Sequence, residues 1–331
     1  MSRSHGALRA LITAALLLPL AACGSGGGDG KASGGATAKA AGFPYTVDNC
    51  GVRTTFKAPP ERVVTMNQHA TEIMLALGLK DRLAGTAYLD DKVLPQYEKD
   101  YKSVKVLAKE YPSYETLLGA NPDFVYGGYA SAFDKAEGRE RSALEKSGIN
   151  TRLNIEYCTD GKTGVQQLAR EIREVGATFG VRDRAEAMVE KAEATIDATK
   201  DKLKGTEPAS VFVYDSGDSS VHSAGGKGIG NEIISLAGGR NVFADTAKTW
   251  IDVSWEQIVE RKPEIIVIYD YGGTTVEAKK KRLLDDPALQ DVPAVKNKRF
   301  AVLPLSSAVL GVRVPDAVRS LAGQLHPDAF K

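Results

Sequence analysis

A short pattern that occurs twice constrains the fold of this chain more than any other feature. Ser-Tyr-Glu at 113–115 is followed, nine residues after the serine, by Pro-Asp at 122–123 and an apolar run. Ser-Trp-Glu at 254–256 is followed at the same interval by Pro-Glu at 263–264 and a second apolar run. Each copy is typical of a short helix that begins at a serine N-cap, ends at a proline and leads into a buried strand. The two copies predict two lobes of similar construction, each with a glutamate in a first helical turn, which suits a protein that binds across a symmetric partner.

The N-terminus has the features of an exported lipoprotein. Two arginines precede an apolar stretch at 11–18, and the Leu-Ala-Ala-Cys that ends at Cys23 matches the lipobox of bacterial lipoproteins. We predict a lipoprotein signal peptide at 1–22 and lipidation of Cys23; the alternative is an ordinary signal peptide with a chance cysteine. The Gly, Ala, Ser and Lys of residues 23–43 predict a flexible tether.

Charge and cysteine content exclude two classes of function. The chain has 43 basic and 42 acidic side chains and no basic stripe, which argues against nucleic-acid binding. Besides Cys23 it contains Cys50 and Cys158, whose spacing fits no zinc motif. In an exported chain, this even pair predicts one disulfide.

Strand and helix signals alternate after the tether. A hairpin is predicted at 45–56, and a polar helix at 133–146. The alternation predicts an α/β lobe with a mainly parallel sheet at 44–180, and it restarts in a second lobe at 206–331.

A long helix separates the two alternating regions. Asp183 and Glu186 have the spacing of a capping box, and Gly205 follows the last apolar step. At roughly 1.5 Å per residue such a helix spans about 30 Å, enough to cross between lobes. We predict an inter-lobe helix at 181–205; the alternative is a covering helix of one large sheet.

Several of these stretches together resemble a known family. The stretches on which the resemblance rests are 62–67, 70–72, 76–78, 107, 114–115, 122–123, 238–243, 254–256 and 263–264. Over essentially all of its mature length, the chain is similar to the iron-siderophore/cobalamin class of substrate-binding proteins of ABC importers. The resemblance implies two Rossmann-like lobes with mainly parallel sheets joined by one long helix, the class III periplasmic-binding-protein fold.

The resemblance also implies a role and partners. Members of this class are not enzymes; they carry a bulky metal chelate to a permease dimer and its ATPase. We therefore expect a monomer outside the cytoplasm, lipid-anchored to the cell membrane, with no cofactor of its own. By position, Glu115 and Glu256 match the glutamates that pair with permease arginines in the family. The alternative is local, since an acid in a first turn stabilises a helix by roughly 0.3–1 kcal/mol.

The ligand site is expected between the lobes, where strand ends face each other. The candidate residues that follow strand ends are Asn67, His69, Tyr88, Tyr126, Tyr129, Tyr214, Asp215, Trp250, Tyr269, Tyr271 and Arg313. Aromatic rings offer flat apolar area with a polar tip, which suits a wrapped chelate. Trp250 and Tyr88 match positions where relatives place ligand-facing aromatics, and Arg313 matches a late arginine that in some relatives meets an anionic or carbonyl-rich ligand.

The expected ligand is a ferric hydroxamate siderophore. Catecholate chelates carry high negative charge and call for several converging cations, whereas Arg313 stands nearly alone among the candidates. Haem, cobalamin and a deazaflavin-cofactor precursor remain open, as does His69 as an axial haem ligand or a hydrogen-bonding wall residue. A bare-metal site needs three or four converging ligands, and His69, His222 and His326 show no paired spacing.

An enzyme on the same fold is the alternative from another functional class. The sequence contains no Gly-x-Ser-x-Gly elbow, P-loop or zincin motif. Gly-Gly-Lys-Gly at 225–228 has the wrong spacing for a phosphate loop, and a strand-to-helix turn explains its glycines.

Overall fold

The first element is a β-hairpin with a two-residue turn. The computed structural model of the protein describes residues 41–158 and 161–331, so the predicted signal peptide, Cys23 and nearly all of the tether lie outside the described residues. Strands β1 (Tyr45–Asn49) and β2 (Val52–Phe56) pair antiparallel. Cys50 and Gly51 between them have φ values of 55° and 77°, as a tight type I′ turn requires. The predicted hairpin is confirmed.

Five parallel strands form the sheet of the N-terminal lobe. They are β3 (Val63–Met66), β4 (Leu83–Ala87), β5 (Val106–Ala108), β6 (Phe124–Gly127) and β7 (Asn150–Leu153). Their spatial order is β5-β4-β3-β6-β7. The chain thus winds outward from β3 in both directions, and the crevice at the carboxyl ends beside β3 is where such sheets bind ligands.

Helices flank this sheet. They are α1 (Gln68–Ala76), α2 (Glu98–Lys102), α3 (Tyr114–Gly119), α4 (Arg141–Lys146) and α5 (Val165–Thr178). The predicted polar helix at 133–146 is wrong, because only α4 and a 3₁₀ turn ending at Phe133 are helical there. Gly138, with φ of 70°, lies in the turn that separates them.

One long helix leads to the second lobe. Helix α6 (Arg182–Lys202) has 21 residues and is about 32 Å long. It connects two separate sheets, which confirms the inter-lobe helix. The predicted capping box is wrong: the helix starts without a side-chain cap, and Glu186 instead pairs with Arg173 at 2.6 Å.

The C-terminal lobe contains a parallel sheet and an antiparallel ribbon. Its strands are β8 (Ala209–Tyr214), β9 (Val221–Ala224), β10 (Gly239–Asn241), β11 (Trp250–Val253), β12 (Ile265–Asp270) and β13 (Phe300–Pro304). Its helices are α7 (Ile229–Leu236), α8 (Trp255–Arg261), α9 (Val276–Asp285), α10 (Pro293–Lys296) and α11 (Val314–Leu325). The parallel order is β10-β8-β12-β13, and β9 pairs with β11 as the ribbon.

The repeated sequence pattern forms the same local structure in both lobes. Ser113 caps α3 by accepting from the backbone N–H of Thr116 at 3.2 Å. Ser254 caps α8 in the same way, accepting from Gln257 N–H at 3.3 Å. Each helix leads into a buried strand, β6 or β12, as the pattern predicts.

The acid after the proline in each copy also has an equivalent role. The Asp123 carboxylate accepts from the Arg62 N–H at 2.9 Å, and the Asp123 N–H donates to the Arg62 carbonyl at 3.0 Å. Glu264 makes the same pair of bonds with Ser210, at 2.6 Å and 2.9 Å. These acids tie the start of each repeat strand to its neighbouring strand, so this half of the repeat is structural.

A shared hydrophobic core joins the two lobes. A disulfide joins the N-terminal hairpin to the rest of the first lobe. The largest hydrophobic cluster is continuous from Ile73 and Val175 in the first lobe to Ile229 and Leu310 in the second. Cys50 and Cys158 form a disulfide that links the hairpin to the segment after β7. Among the described residues, the helices are all too short or too polar to cross a bilayer.

Candidate functional site

Four tyrosines form the N-terminal wall of a cleft between the lobes. Tyr88, Tyr111, Tyr129 and Tyr157 follow β4, β5, β6 and β7, whose carboxyl ends meet at one edge of the sheet. Tyr88 stacks on Tyr111 with ring centroids 4.6 Å apart. Tyr129 meets Tyr157 edge to face at 5.5 Å. We call these four residues the tyrosine wall.

Asn67 holds the tyrosine wall in place. Its side-chain oxygen accepts from the backbone N–H groups of Gly128 and Tyr129, both at 3.2 Å. Its side-chain nitrogen donates to the Tyr111 hydroxyl at 2.9 Å. Asn67 is fully buried and adopts φ of 79° directly after β3. Asn67 was expected to contact ligand, but its side chain is bonded to residues of the tyrosine wall and their neighbours.

His69 lies behind the tyrosine wall. Its ring contacts Tyr129 edge to face at 4.9 Å and is almost completely buried. Burial lowers the pKa of His69 to about 4, so the imidazole is neutral at physiological pH. Neither ring nitrogen has a hydrogen-bond partner within the described part of the chain. A side chain on Gly128 would place Cβ only 2.4 Å from this ring, which explains the glycine there.

Trp250 dominates the C-terminal wall. It is the first residue of β11, and its ring stacks on His222 of β9 with centroids 5.5 Å apart and planes 13° from parallel. His222 is in turn held by Asp252, with 2.9 Å between Nδ1 and Oδ1. Tyr269 supports Trp250 from behind at 6.1 Å and is itself fully buried. Trp250 is therefore a fixed ring, whereas Tyr269 belongs to its support.

The two walls approach each other at Tyr271. Burial is the main cause that raises the pKa of Tyr271 to about 12, and the next causes are Tyr88 and Asp90 from the opposite lobe. Trp250 likewise acts on the hydroxyl of Tyr157 across the cleft. Aromatic groups of the two lobes therefore lie close to one another here.

Unpaired polar atoms point to a ligand in this space. Asp90 Oδ2 and Asp215 Oδ1 are buried without a hydrogen-bond partner in the described structure. Burial raises the pKa of Asp90 to about 6 and also raises that of Asp215. Buried polar groups are normally paired, so a cluster of exceptions beside perturbed pKa values indicates a binding site.

Two predicted site residues face away from the cleft. The Tyr126 hydroxyl donates to the Glu171 carboxylate beneath the sheet. Tyr214 donates to the Gly217 carbonyl at 3.1 Å and packs on Trp255 at the outer face of its sheet. Successive strand residues alternate between faces, so Asp215 points to the opposite side from Tyr214. The prediction that Tyr126 and Tyr214 contact ligand is therefore wrong, and both have structural roles.

Arg313 is also corrected, because its guanidinium is already bound. It makes a two-pronged ion pair with Glu72 of the first lobe, with both N–O distances 2.7 Å, and a further bond to the Lys92 carbonyl at 2.7 Å. Arg313 is 7% exposed and Glu72 1%. This buried pair ties the lobes together instead of presenting a cation to a ligand.

A second buried group ties the lobes from the other side. The Glu156 carboxylate of the first lobe accepts from the backbone N–H groups of Ile229 and Leu310, at 2.9 Å and 3.0 Å. Asn154 adds a bond to the Leu310 carbonyl at 3.0 Å. Burial raises the pKa of Glu156 to about 7 despite these two bonds.

The other buried cations beside the walls are engaged as well. Lys279 donates to the backbone carbonyls of Tyr269 and Tyr271. Arg139 lies over the Tyr111 ring at 5.3 Å and donates to backbone carbonyls. The described residues contain no group of three or more His, Cys, Asp or Glu arranged to hold a metal ion.

Glu115 and Glu256 lie outside the cleft. Both are exposed and occupy the first turns of α3 and α8. The Ser254 hydroxyl is the first cause that lowers the pKa of Glu256, so this carboxylate is ionised at neutral pH. Neither forms an ion pair with another residue in the described ranges, which leaves two matched acidic points on the surface.

Sequence analysis missed Asp90, Tyr111 and Tyr157. All three follow strand ends, so the signal that selected Tyr88 and Tyr129 was present for them.

Comparison with known proteins agrees with this architecture. The periplasmic binding protein family matches residues 63–306. The chain is 28% identical over 336 residues to the ABC transporter substrate-binding lipoprotein YvrC of Bacillus subtilis, covering all of both chains. It is 28% identical over 217 residues to a vitamin B12-binding protein of Vibrio parahaemolyticus, covering 64% of this chain and 72% of that one.

Solved structures show the same fold. A periplasmic binding protein from Veillonella parvula superposes with a TM-score of 0.79 at 32% identity, covering 86% of this chain and 97% of that one. A protein of an ABC-type Fe³⁺-hydroxamate transport system from Saccharomonospora viridis superposes with a TM-score of 0.73 at 24% identity, covering 86% and 99%. The chain therefore belongs to the periplasmic binding protein family, as an ABC-importer substrate-binding protein of the iron-siderophore/cobalamin type.

Proposed function

We propose that this protein captures a ferric hydroxamate chelate between its lobes and delivers it to a membrane permease. The observation that carries the proposal is the composition of the cleft. Aromatic rings line both walls, and the buried cations beside them, Arg313, Lys279 and Arg139, are bound to other protein groups.

This composition favours a chelate without net negative charge. Ferric catecholates and the carboxylates of haem would enter beside Asp90 and Asp215 with no buried cation free to pair with them. Burying an unpaired charge costs several kcal/mol. Hydroxamate chelates are neutral or carry positive charge, and their apolar backbone suits aromatic walls. The S. viridis protein with the same fold belongs to an Fe³⁺-hydroxamate transport system, which supports the same choice.

Cobalamin is the second candidate. The relatives named vitamin B12-binding proteins favour it, since one is 28% identical over 64% of this chain. A corrinoid also offers a broad flat face to Trp250 and carries no strong negative charge.

Tryptophan fluorescence distinguishes these ligands. The chain has two tryptophans, and Trp255 packs on Tyr214 outside the cleft. A ligand in the cleft should therefore quench the Trp250 component. We expect saturable quenching by a ferric trihydroxamate and none by ferric tricatecholate or haemin at the same concentration. Saturation by cyanocobalamin alone would replace the hydroxamate assignment with a corrinoid one.

We further propose that the protein works outside the cytoplasm, held to the membrane through Cys23. The supporting observations are the lipobox and the lipoprotein name of the B. subtilis relative. Two or more acyl chains are enough for stable retention in a bilayer. Cys23→Ala should move the protein out of the membrane fraction, whereas equal retention of mutant and wild type would contradict anchoring.

A further inference from the structure

Each wall of the cleft contributes one carboxylate with an unpaired oxygen. Asp90 follows β4 in the first lobe, and Asp215 follows β8 in the second. Asp90 Oδ2 and Asp215 Oδ1 are both buried without a hydrogen-bond partner in the described residues. Both carboxyl groups raise the pKa of Tyr271, so this phenol lies near both acids.

The surrounding protein does not complete the bonding of these acids. The cation that most lowers the pKa of Asp215 is Lys279, which donates to two backbone carbonyls. The cation acting on Asp90 is Arg313, which is bound to Glu72. Ser216 approaches the other oxygen of Asp215 at 3.4 Å, a long contact. Backbone N–H groups of Gln68 and Asp90 also act on the Asp90 carboxyl, but Asp90 Oδ2 and Asp215 Oδ1 each remain without a hydrogen-bond partner in the described residues.

Asp215 is buried, so its unpaired oxygen differs from that of an ordinary surface carboxylate, which water would hydrate. Asp215 is only 5% exposed and directly follows the carboxyl end of β8, yet its Oδ1 has no hydrogen-bond partner in the described residues. A buried carboxylate oxygen without a donor is unfavourable, and a donor supplied by a ligand would remove that cost. A protonated amine offers several N–H donors together with positive charge.

We propose that Asp90 and Asp215 are specificity-determining residues that bind a protonated amine on the chelate. This inference rests on the proposed function and narrows its substrate class to hydroxamate chelates that carry a cationic group. The aromatic rings hold the apolar part of the chelate, while the two acids select its charge.

A matched pair of chelates tests the proposal. One is the ferric complex of a linear trihydroxamate with a free terminal amine, and the other is the same complex with that amine acetylated. For the wild-type protein we expect the amine form to bind at least about tenfold more tightly in a fluorescence-quenching titration, as expected for one charge-assisted hydrogen bond.

Substitutions assign the preference to the two acids. Asp215→Asn and Asp90→Asn should each weaken binding of the amine form by about tenfold and leave the acetylated form within about twofold. Retained binding of the acetylated form shows that each variant is folded. The control is Asp218→Asn, an exposed acid in the same lobe, which should change neither affinity.

The outcomes separate this inference from the proposed function. If wild type binds both chelates equally and Asp215→Asn changes neither, the amine site is overturned while hydroxamate capture stands. If neither chelate binds and cyanocobalamin does, the hydroxamate proposal itself fails, and the amine site fails with it.

Discussion

The outer faces of the two lobes are alike, whereas their inner faces differ. Outside, Glu115 and Glu256 occupy the same position after a capping serine. Inside, the first lobe presents the tyrosine wall on loops after parallel strands, and the second presents Trp250 on an antiparallel ribbon. Matched outer faces suit a partner with two-fold symmetry, and unmatched inner faces suit a ligand without it. The duplicated pattern thus gives matched positions at the surface, whereas the cleft walls have no such correspondence.

The largest effect we expect comes from removing the ion pair between the lobes at Arg313. Arg313→Ala leaves Glu72 buried without its partner, and breaking a buried ion pair in this way costs about 3–5 kcal/mol. Urea unfolding should show this loss. Arg319→Ala is the matched control, because its pair with Asp316 is exposed and is worth about 1 kcal/mol or less. If Arg313→Ala keeps wild-type stability but loses ligand affinity, Arg313 contacts the ligand and does not hold the lobes together.

The outer faces are tested by transport. Glu115→Ala and Glu256→Ala should each lower uptake in cells by more than tenfold, since losing one partner of an interfacial ion pair costs about 2 kcal/mol or more. Ligand affinity of the purified variants should stay at the wild-type value, and the double variant should transport least. Glu260→Ala, an exposed acid at the other end of α8, should transport normally.

The local explanation for these glutamates makes a different prediction. If they only stabilise their helices, each substitution should lower the free energy of unfolding by about 0.3–1 kcal/mol and leave uptake intact. That result would remove the functional meaning of the matched outer faces.

The inner faces are tested at Trp250. Trp250→Ala should weaken ligand binding by about 1–3 kcal/mol if the ring stacks on the chelate, and Trp250→Phe should recover part of that loss. Fluorescence serves as a second measurement, because quenching should disappear with Trp250 and persist in Trp255→Phe. Wild-type affinity in Trp250→Ala would place the ligand against the tyrosine wall alone.

The most gradual effect concerns Glu156 and pH. Its pKa is about 7 when folded and about 4.5 for an ordinary glutamate, so the folded state binds more protons between these values. Stability should therefore fall as pH rises from about 4.5 to 7, by at most about 1.4 kcal/mol per pH unit from this group. Glu156→Gln should flatten the slope of unfolding free energy against pH in this window, whatever its effect on overall stability. An unchanged slope would show that Glu156 titrates normally.

Local features of the fold were predictable from sequence, and contacts between distant residues were not. The serine caps at Ser113 and Ser254 follow from rules that operate within one helical turn. The Glu72–Arg313 pair joins residues 241 positions apart, so no local pattern could indicate it. The predicted cap of α6 failed for a similar reason, because Glu186 is bound by Arg173 of the preceding helix.

Part of the candidate site was predictable because strand ends can be recognised in the sequence. The rest was not, because the directions of side chains cannot be read from it. Tyr88, Tyr129 and Tyr271 lie on the cleft as their positions after strands suggested. Tyr126 and Tyr214 lie in strands whose residues are buried on both faces, so their sequences show no alternation from which a direction could be read.

Two residues of the cleft hold the backbone in a conformation that most residues avoid. Asn67 and Tyr88 directly follow adjacent strands and have φ values of 79° and 54°. Such positions cost of order 1 kcal/mol or more each, and glycine would relieve much of it at position 88. Evolution toward stability alone would thus remove the ring that stacks on Tyr111. A thermostabilised descendant of this protein would gain a firmer scaffold at the expense of its capture site, so the two properties have to be selected together.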